Sequence, residues 1–303
     1  MRVKVYNQRI ELPILNEKKV TLSVKREDLI HPFISGNKFR KLTYNLSEAK
    51  RLGHDTLLTF GGAFSNHIAA TAYAGKEHGL KSIGIIRGDE LVDHWQDNPT
   101  LAWAKEQGMQ FKFVSREAYR SKESPEFLEE LKQEFGSFYC IPEGGANALA
   151  VKGCEEILIE EDSAFDIICV CVGTGGTIAG LINSSRVHQK VLGFPALKGD
   201  FLRKDICKFA QRENWDLNIQ YHFGGYGKVT KELIDFMNDF KSKTSIPMDP
   251  VYTGKMLFGI LDLVRTNYFE PNTKILAIHS GGLQGIAGMN IVLKKKNLPL
   301  IEL

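Results

Sequence analysis

The stretch Ser35-Gly36-Asn37-Lys38-Phe39-Arg40-Lys41-Leu42 joins a short polar turn to a helical pattern, and the rest of the chain is organised around it. Behind it, apolar residues recur at the spacing of a helix: Leu42, Leu46 and Ala49. Asn37 is a residue type that caps helix N-termini, and Gly36 removes side-chain bulk next to Lys38. The pattern predicts a lysine amine at the start of a helix, although an ordinary solvated basic turn has the same pattern.

The composition suits a globular protein with small-molecule partners. The chain has 303 residues, 43% of them hydrophobic and 25% charged, which is comfortable for two α/β lobes. The net charge of +3 produces only a weak electrostatic field, and no basic run is interleaved with aromatic residues. We therefore expect no nucleic-acid partner. The longest apolar run, 167–172, is too short to span a bilayer, and the start of the chain lacks an export-signal pattern. We therefore expect a cytoplasmic protein without membrane contact.

Cysteine and histidine spacing argues against disulfides and metals. Five cysteines form an odd count without a Cys-x-x-Cys pair, and Cys169 and Cys171 lie inside an apolar strand pattern, where free thiols behave as small hydrophobes. The histidines never pair at metal-ligand spacing. We expect no disulfide, no structural zinc and no other metal.

Strands and helices alternate along most of the chain. Predicted strands cover 19–25, 56–60, 82–86, 111–114, 138–141, 167–172, 191–194, 219–223 and 275–278. Predicted helices cover 68–76, 99–107, 126–135, 147–160 and 231–240. This rhythm predicts an α/β fold of two lobes, each a mostly parallel sheet flanked by helices, with ligands at the carboxyl ends of strands.

No linker separates the two predicted lobes. The chain is therefore expected to cross between them twice, near Tyr44 and near Lys152. This gives a large lobe of residues 1–44 and 153–303 and a small lobe of residues 45–152.

A glycine-rich turn, Val172-Gly173-Thr174-Gly175-Gly176-Thr177-Ile178-Ala179-Gly180, follows the buried strand and opens a helix. Backbone amides at such a helix start point at an anion, and the peptide dipoles favour its charge. The dinucleotide pattern would need glycine in place of Ile178, and the lysine of a nucleotide P-loop is absent. The turn is therefore typical of a phosphate-monoester site, with a purely structural tight turn as the alternative.

Two further glycine turns end predicted strands: Gly61-Gly62-Ala63-Phe64-Ser65-Asn66 and His279-Ser280-Gly281-Gly282. The first is a second anion site at a helix start, and the other offers one neutral hydroxyl. One lysine on a turn and three glycine turns match the needs of a pyridoxal phosphate site. These needs are an imine partner, a phosphate cradle, a carboxylate clamp and a group that faces the ring nitrogen.

These same residues carry a resemblance to a known family. The chain resembles the pyridoxal-phosphate-dependent D-cysteine desulfhydrases and 1-aminocyclopropane-1-carboxylate (ACC) deaminases, of the tryptophan-synthase-β-like fold type II. The matching stretches, in the family's order, are Lys25-Arg26-Glu27-Asp28, Gly36-Asn37-Lys38-Phe39-Arg40-Lys41-Leu42, Gly61-Gly62-Ala63-Phe64-Ser65-Asn66-His67, Pro142-Glu143-Gly144-Gly145, residues 173–180, Val251-Tyr252-Thr253-Gly254-Lys255 and His279-Ser280-Gly281-Gly282.

The resemblance implies roles for particular residues, with pyridoxal phosphate in the cleft between the lobes and a homodimer as the default assembly. Catalytic roles fall to Lys38, the Schiff-base lysine, and to Ser65 and Tyr252. Cofactor binding falls to Lys38, to Asn66 at the 3′-oxygen, to Gly173, Thr174, Gly175, Gly176 and Thr177 at the phosphate, and to Ser280 at the pyridine nitrogen. Substrate binding falls to Ser65, Asn66, His67 and Tyr252.

The reaction is predicted to be α,β-elimination from a small amino acid, D-cysteine first, giving a 2-oxo acid and ammonia. ACC deaminases carry a second active-site tyrosine where this chain has Ala277, which disfavours ring opening of the cyclopropane substrate. ACC deamination and a non-catalytic cofactor-holding protein remain the alternatives. For Ser65, contact with the substrate carboxylate is preferred to nucleophilic attack, and Tyr226 is a second candidate beside Tyr252.

Overall fold

The computed structural model describes residues 5–199 and 202–303, and these form two sheets. The larger sheet has the strand order β1-β2-β10-β7-β8-β9, with β1 antiparallel to β2 and the other neighbours parallel. Its strands are β1 (Asn7–Ile10), β2 (Thr21–Lys25), β7 (Ile167–Val172), β8 (Lys190–Pro195), β9 (Trp215–Leu217) and β10 (Lys274–Ile278).

The smaller sheet is wholly parallel, in the order β5-β4-β3-β6. Its strands are β3 (Thr56–Gly61), β4 (Lys81–Arg87), β5 (Gln110–Val114) and β6 (Tyr139–Ile141). The α/β class with two mostly parallel sheets is therefore confirmed. The expectation about the start of the chain rests partly on residues 1–4, which lie outside the described residues.

Helices cover the sheets. They are α1 (Pro13–Glu17), α2 (Asn37–Arg51), α3 (Asn66–His78), α4 (Pro99–Glu106), α5 (Arg116–Arg120), α6 (Pro125–Phe135), α7 (Ala148–Glu155), α8 (Gly176–Ser184), α9 (Leu202–Cys207), α10 (Lys231–Thr244), α11 (Thr253–Arg265) and α12 (Gly285–Lys295). Within the described ranges, no helix is long and apolar enough to cross a membrane.

The central strands of the larger sheet are buried on both faces. On β7, Cys169 and Cys171 pack into one apolar cluster with α10 and α11, while Ile168, Val170 and Val172 pack into another with α8. Alternate side chains thus enter opposite cores, which is why this strand is continuously apolar in the sequence. Its carboxyl end, and with it the glycine-rich turn, is held rigidly.

One predicted strand is wrong, and several elements were not predicted. Residues 219–223 form turns, because the ladder with β8 ends where the Asn218 amide bonds to the Gly193 carbonyl, and the Asn218 side chain then accepts the Gln220 amide. The strand β9 lies just before this point. Helix α12 was missed because it contains glycines: a Cβ on Gly288 would lie 2.6 Å from the Phe64 ring.

The predicted crossing points lie inside two helices that pack together. Tyr44 is in α2 and Lys152 is in α7, and the Lys152 amine lies 4.7 Å from the centre of the Tyr44 ring. A Cβ on Gly153 would lie 2.0 Å from the Arg40 carbonyl oxygen, so α7 touches the backbone of α2. The lobe boundary itself stays a prediction.

Replacement of Gly153 by alanine should force α2 and α7 apart. Alanine favours helices, but the obstacle is backbone, so we expect the free energy of unfolding to fall by about 1–3 kcal/mol. Denaturant unfolding measures this, with the exposed Ala148→Ser on the same helix as the control. An unchanged midpoint for Gly153→Ala would contradict the close approach of the two helices.

Candidate active site

The start of α2 is fixed by contacts with two distant turns. Gly36 has φ +62°, and a Cβ there would lie 1.9 Å from the Ser280 carbonyl oxygen. The Asn37 amide donates to that same oxygen at 3.2 Å. Gly36, and not Asn37, is the N-cap residue, and the Asn37 side chain instead donates to Thr177 Oγ1 at 2.8 Å. The lysine turn, the phosphate-type loop and the last glycine turn are therefore joined directly.

Buried ion pairs hold the segment before the lysine turn. They join Lys25 to Asp162 at 2.7 Å, Arg26 to Asp28 at 2.8 Å and Arg40 to Glu27 at 2.9 Å. The Ser35 hydroxyl donates to the Asp28 carbonyl oxygen at 3.1 Å. Loss of one partner of such a pair leaves an uncompensated buried charge, so these residues fix the position of the turn.

Two lysine amines of α2 meet at one carbonyl oxygen. Lys38 Nζ lies 3.5 Å and Lys41 Nζ 2.9 Å from the Gly144 carbonyl oxygen. Burial, together with the charge of Lys41, lowers the pKa of Lys38 to about 7. Burial also lowers the pKa of Lys41. Near neutral pH a large fraction of the Lys38 amine is therefore unprotonated and nucleophilic.

The Lys41 amine was missed as a site residue by the sequence analysis. Its side chain is 2% exposed, and it has no carboxylate within ion-pair distance among residues 5–199 and 202–303. A Cβ on Gly176 would lie 3.4 Å from its nitrogen, so the amine faces the start of α8. A buried cation without a counter-ion is costly, and an anion at this loop would relieve that cost. The available signal was its spacing of three residues from Lys38, on the same helix face.

The loop 173–177 has the conformation of an anion cradle. Gly175 has φ +84°, a left-handed conformation that favours glycine, and it caps α8. A Cβ on Gly144 would lie 2.8 Å from Thr174 Cγ2, so this loop packs on the turn that holds the two lysines. The N-terminus of α8, the Lys41 amine and the glycine backbone together fit a phosphate group.

Ser280 places a neutral hydroxyl at the site. It is 8% exposed, and its Oγ lies 3.0 Å from Cys171 Sγ. Burial raises the pKa of the Cys171 thiol to about 12, so this sulfur keeps its proton and can donate to Ser280. The ring of His279, the residue before Ser280, makes its hydrogen bonds to other groups. Its Nε2 lies 2.7 Å from the Pro247 carbonyl oxygen, and its Nδ1 accepts the Gly281 amide. These contacts hold the ring in place beside the turn.

The turn that follows β3 in the smaller sheet, residues 61–66, contacts the part of the chain that follows β10. The Ser65 hydroxyl caps α3 by accepting the amides of His67 and Ile68 at 3.2 and 3.3 Å. Asn66 Oδ1 accepts from the Gln284 side chain at 2.5 Å. Asn66 therefore lies beside the last glycine turn, whereas the Ser65 hydroxyl is engaged locally and does not contact Lys38.

His67 is buried, with 1% exposure, and neither ring nitrogen forms a hydrogen bond to any residue that the structure describes. Burial and the charges of Lys38 and Lys41 lower its pKa well below the usual value, so the ring is neutral. A Cβ on Gly145 would lie 3.2 Å from its Cε1. The ring lies behind the lysines, and its two unsatisfied nitrogens mark a polar position at the site.

Tyr252 covers the other side of the loop. A Cβ on Gly173 would lie 3.2 Å from the Tyr252 hydroxyl oxygen, and burial raises the pKa of Tyr252 well above its usual value. The Tyr226 ring lies 6.1 Å from it. The Lys255 amine holds the Tyr226 loop by donating to two carbonyl oxygens, those of His222 and Gly225, at 2.9 and 2.8 Å.

The structure thus brings together Lys38, the loop 173–177, Ser280 and Tyr252, with Asn66 and His67 at the edge. Within the described part of the chain, no group of three or more His, Cys, Asp or Glu side chains could hold a metal ion.

Comparisons with known proteins match this arrangement. The sequence profile described as "Pyridoxal-phosphate dependent enzyme" matches residues 8–281. A putative ACC deaminase of Pyrococcus horikoshii is 34% identical over 285 residues, covering 86% of this chain and 84% of the relative. A bifunctional D-cysteine desulfhydrase/ACC deaminase of Arabidopsis thaliana mitochondria is 33% identical over 294 residues, covering 88% and 73%. The crystal structure of an ACC deaminase homologue superposes with a TM-score of 0.78 and 31% identity, over 94% of this chain and 92% of the other.

The charge of Lys41 should determine how tightly the site holds a phosphate monoester. With pyridoxal phosphate as the probe, Lys41→Gln should raise the dissociation constant about 10–100-fold, since a hydrogen bond to a charged group contributes about 1.5–3 kcal/mol. An absorbance titration of protein stripped of small molecules measures this. Lys50→Gln, an exposed lysine of the same helix, is the matched control. Equal affinities for the two variants would contradict the assignment.

Proposed function

Since the chain belongs to the family of pyridoxal-phosphate-dependent enzymes, we propose that it catalyses α,β-elimination from a small amino acid, with D-cysteine-like substrates first. The products are a 2-oxo acid and ammonia, with sulfide from cysteine. The observation that supports the proposal is the neutral hydroxyl of Ser280. The carbonyl oxygen of this residue accepts the Asn37 amide, so Ser280 lies next to the lysine turn. ACC deamination, the activity after which several relatives are named, is the second candidate.

The residues fit the cofactor. When bound, pyridoxal phosphate supplies an aldehyde that condenses with amines and a ring that delocalises charge developing at Cα. Lys38 would hold the aldehyde carbon, and Lys41 with the loop 173–177 would hold the phosphate. Ser280 would face the ring nitrogen, and Asn66 would face the 3′-oxygen.

Lys38 would also carry the proton that leaves Cα. Its amine has a pKa near 7, so it can accept a proton and return it within the working pH range. The Gly144 carbonyl oxygen, 3.5 Å from Nζ, orients the amine. The Tyr252 hydroxyl lies near Gly173 and keeps its proton because burial raises its pKa, so in this proposal it would donate a proton to the leaving group.

Ser280 favours elimination over amino transfer. A carboxylate at the ring nitrogen would keep the pyridine protonated and make the ring a deep electron sink, whereas a hydroxyl can only share a hydrogen bond. The Cys171 thiol lies 3.0 Å from Ser280 Oγ and can donate to it, which would leave the hydroxyl proton free to bond to the ring nitrogen. Charge therefore stays at Cα, ready to expel a β-substituent.

The substrate carboxylate would bind at the start of α3, beside Ser65, Asn66 and His67, where backbone amides and the helix dipole favour an anion. Ring opening of ACC is less well supported. Ala277, at the place of the family's second tyrosine, is 0% exposed on β10 and offers no hydroxyl. We further propose a cytoplasmic homodimer, which sedimentation would test.

A panel of D- and L-amino acids tests the function. Ammonia, 2-oxo acid and sulfide should form from D-cysteine-like substrates, and Lys38→Ala should abolish turnover while leaving the fold intact.

Reaction of stripped protein with pyridoxal phosphate should be half-maximal near pH 7, because the neutral amine attacks and its fraction rises as pH passes the lowered pKa of Lys38. Borohydride should trap the pyridoxyl group on the Lys38 peptide. Trapping on Lys41 or Lys255 would contradict the assignment.

Ser280→Asp should shift the reaction type. A carboxylate there would protonate the ring, so more turnovers should end in amino transfer, seen as pyridoxamine phosphate accumulating with substrate. Wild-type protein should accumulate almost none. Ready conversion of the wild type to the pyridoxamine form, with transfer of the amine to a 2-oxo acid, would overturn the elimination proposal.

A further inference from the structure

The mouth of the cleft carries an arginine that the proposed mechanism does not use. Arg87 is the last residue of β4, next to the turn that follows β3, and its side chain is exposed. A Cβ on Gly62 would lie 3.6 Å from a terminal nitrogen of Arg87, with no other heavy atom within 4 Å. The guanidinium therefore lies on the turn that leads to Ser65, at the carboxyl edge of the smaller sheet.

The Tyr119 ring lies beside this guanidinium, and we call the connected set of Arg87, Tyr119, Lys122, Glu143 and Tyr226 the mouth cluster. The Arg87 Cζ atom lies 5.7 Å from the centre of the Tyr119 ring, and the Lys122 amine lies 5.1 Å from it. Lys122 forms an ion pair with Glu143 at 3.3 Å. The carboxylate of the cluster is thus already engaged by a lysine.

Arg87 has no such partner. Across residues 5–199 and 202–303, no carboxylate lies within ion-pair distance of its guanidinium. The mouth cluster carries two cations and one anion, so its net charge is positive. Arginine presents a planar set of donors that matches carboxylate, sulfonate and phosphate oxygens, and this set is unoccupied by protein carboxylates.

The mouth cluster spans both lobes and continues into the active site. The Tyr226 side chain is 44% exposed, but its hydroxyl is desolvated, which raises its pKa, and the charge of Arg87 acts on that pKa in the opposite direction. The Tyr226 ring lies 6.1 Å from that of Tyr252, which covers Gly173 of the phosphate-type loop. Arg87 thus lies on the turn between β3 and α3, and the Tyr226–Tyr252 ring pair connects this region with the phosphate-type loop.

We propose that Arg87 binds a negatively charged β-substituent, so that the preferred substrates are small amino acids whose β-substituent carries a negative charge before it leaves, such as a sulfonate, a thiosulfate ester or a phosphate ester. This inference rests on the proposed function. The Cα proton passes to Lys38, and the Cβ–X bond breaks with its electron pair retained by X. The anion X departs beside the guanidinium, and water completes the conversion of the remainder to 2-oxo acid and ammonium.

Matched substrates test the inference on the holoenzyme. S-sulfocysteine and O-phosphoserine carry β-substituents that are negatively charged before cleavage, whereas O-acetylserine and β-chloroalanine carry neutral β-substituents that become anions only on leaving, and each is tested in D and L form. We expect wild-type kcat/KM to be at least about 10-fold higher for the anionic pair, the scale of a charge-assisted hydrogen bond. Inorganic sulfate and phosphate should inhibit competitively.

Arg87→Gln should lower kcat/KM for the anionic substrates by about 10–100-fold and leave the neutral ones within about threefold. It should also abolish inhibition by inorganic sulfate and phosphate, while Arg87→Lys retains part of both effects. The matched control is Arg116→Gln, an exposed arginine that pairs with Glu90 at 2.7 Å. That variant should behave as wild type.

The possible failures are distinguishable. An equal loss for anionic and neutral substrates in Arg87→Gln would mean that Arg87 binds the α-carboxylate, and it would overturn the inference. Turnover of neutral substrates without an anionic preference would overturn the inference and leave the proposed function standing. No elimination from any substrate by wild-type protein would overturn both.

Discussion

The close approach of Gly36 to the Ser280 carbonyl is the contact on which the site depends. At 1.9 Å from that oxygen there is no room for a Cβ, and the positive φ of Gly36 strains any other residue. This one contact sets the start of α2 against the end of β10. From there the Asn37 side chain reaches Thr177, and Lys38 and Lys41 reach Gly144. Amine, phosphate cradle and hydroxyl are thus aligned by backbone packing.

Buried charges separate structural positions from reactive ones. Lys25 and Arg26 are paired with carboxylates, and the amine of Lys255 is held by two carbonyl oxygens. Lys38 and Lys41 share a single carbonyl oxygen, and neither forms an ion pair with a carboxylate of the described residues. Since a buried charge without a partner is costly, a fold retains one where a ligand compensates it. We infer from this distribution of partners that Lys38 and Lys41 face the ligand.

The sequence was sufficient for features that depend on local pattern. Alternating strands and helices predicted the two sheets, and glycines at strand ends predicted three turns that the fold brings to one place. Lys41, Cys171 and Arg87 were not predicted as site residues, because their surroundings depend on contacts between distant positions: the partners in Cys171–Ser280 are 109 residues apart. The helix α12 was hidden by glycines that serve packing against Phe64.

We propose that the coupling between the two lysines of α2 links cofactor binding to chemistry. The charge of Lys41 would attract a phosphate to the loop 173–177, and the same charge, after burial, lowers the pKa of Lys38. In the protein without a phosphate, burial and the charge of Lys41 together lower the pKa of Lys38, so a large fraction of its amine would be neutral and able to attack an aldehyde. A bound phosphate would offset the charge of Lys41 and leave burial as the dominant influence. Lys38 is thus most nucleophilic when the aldehyde has still to be captured, and more basic once proton transfer at Cα is required.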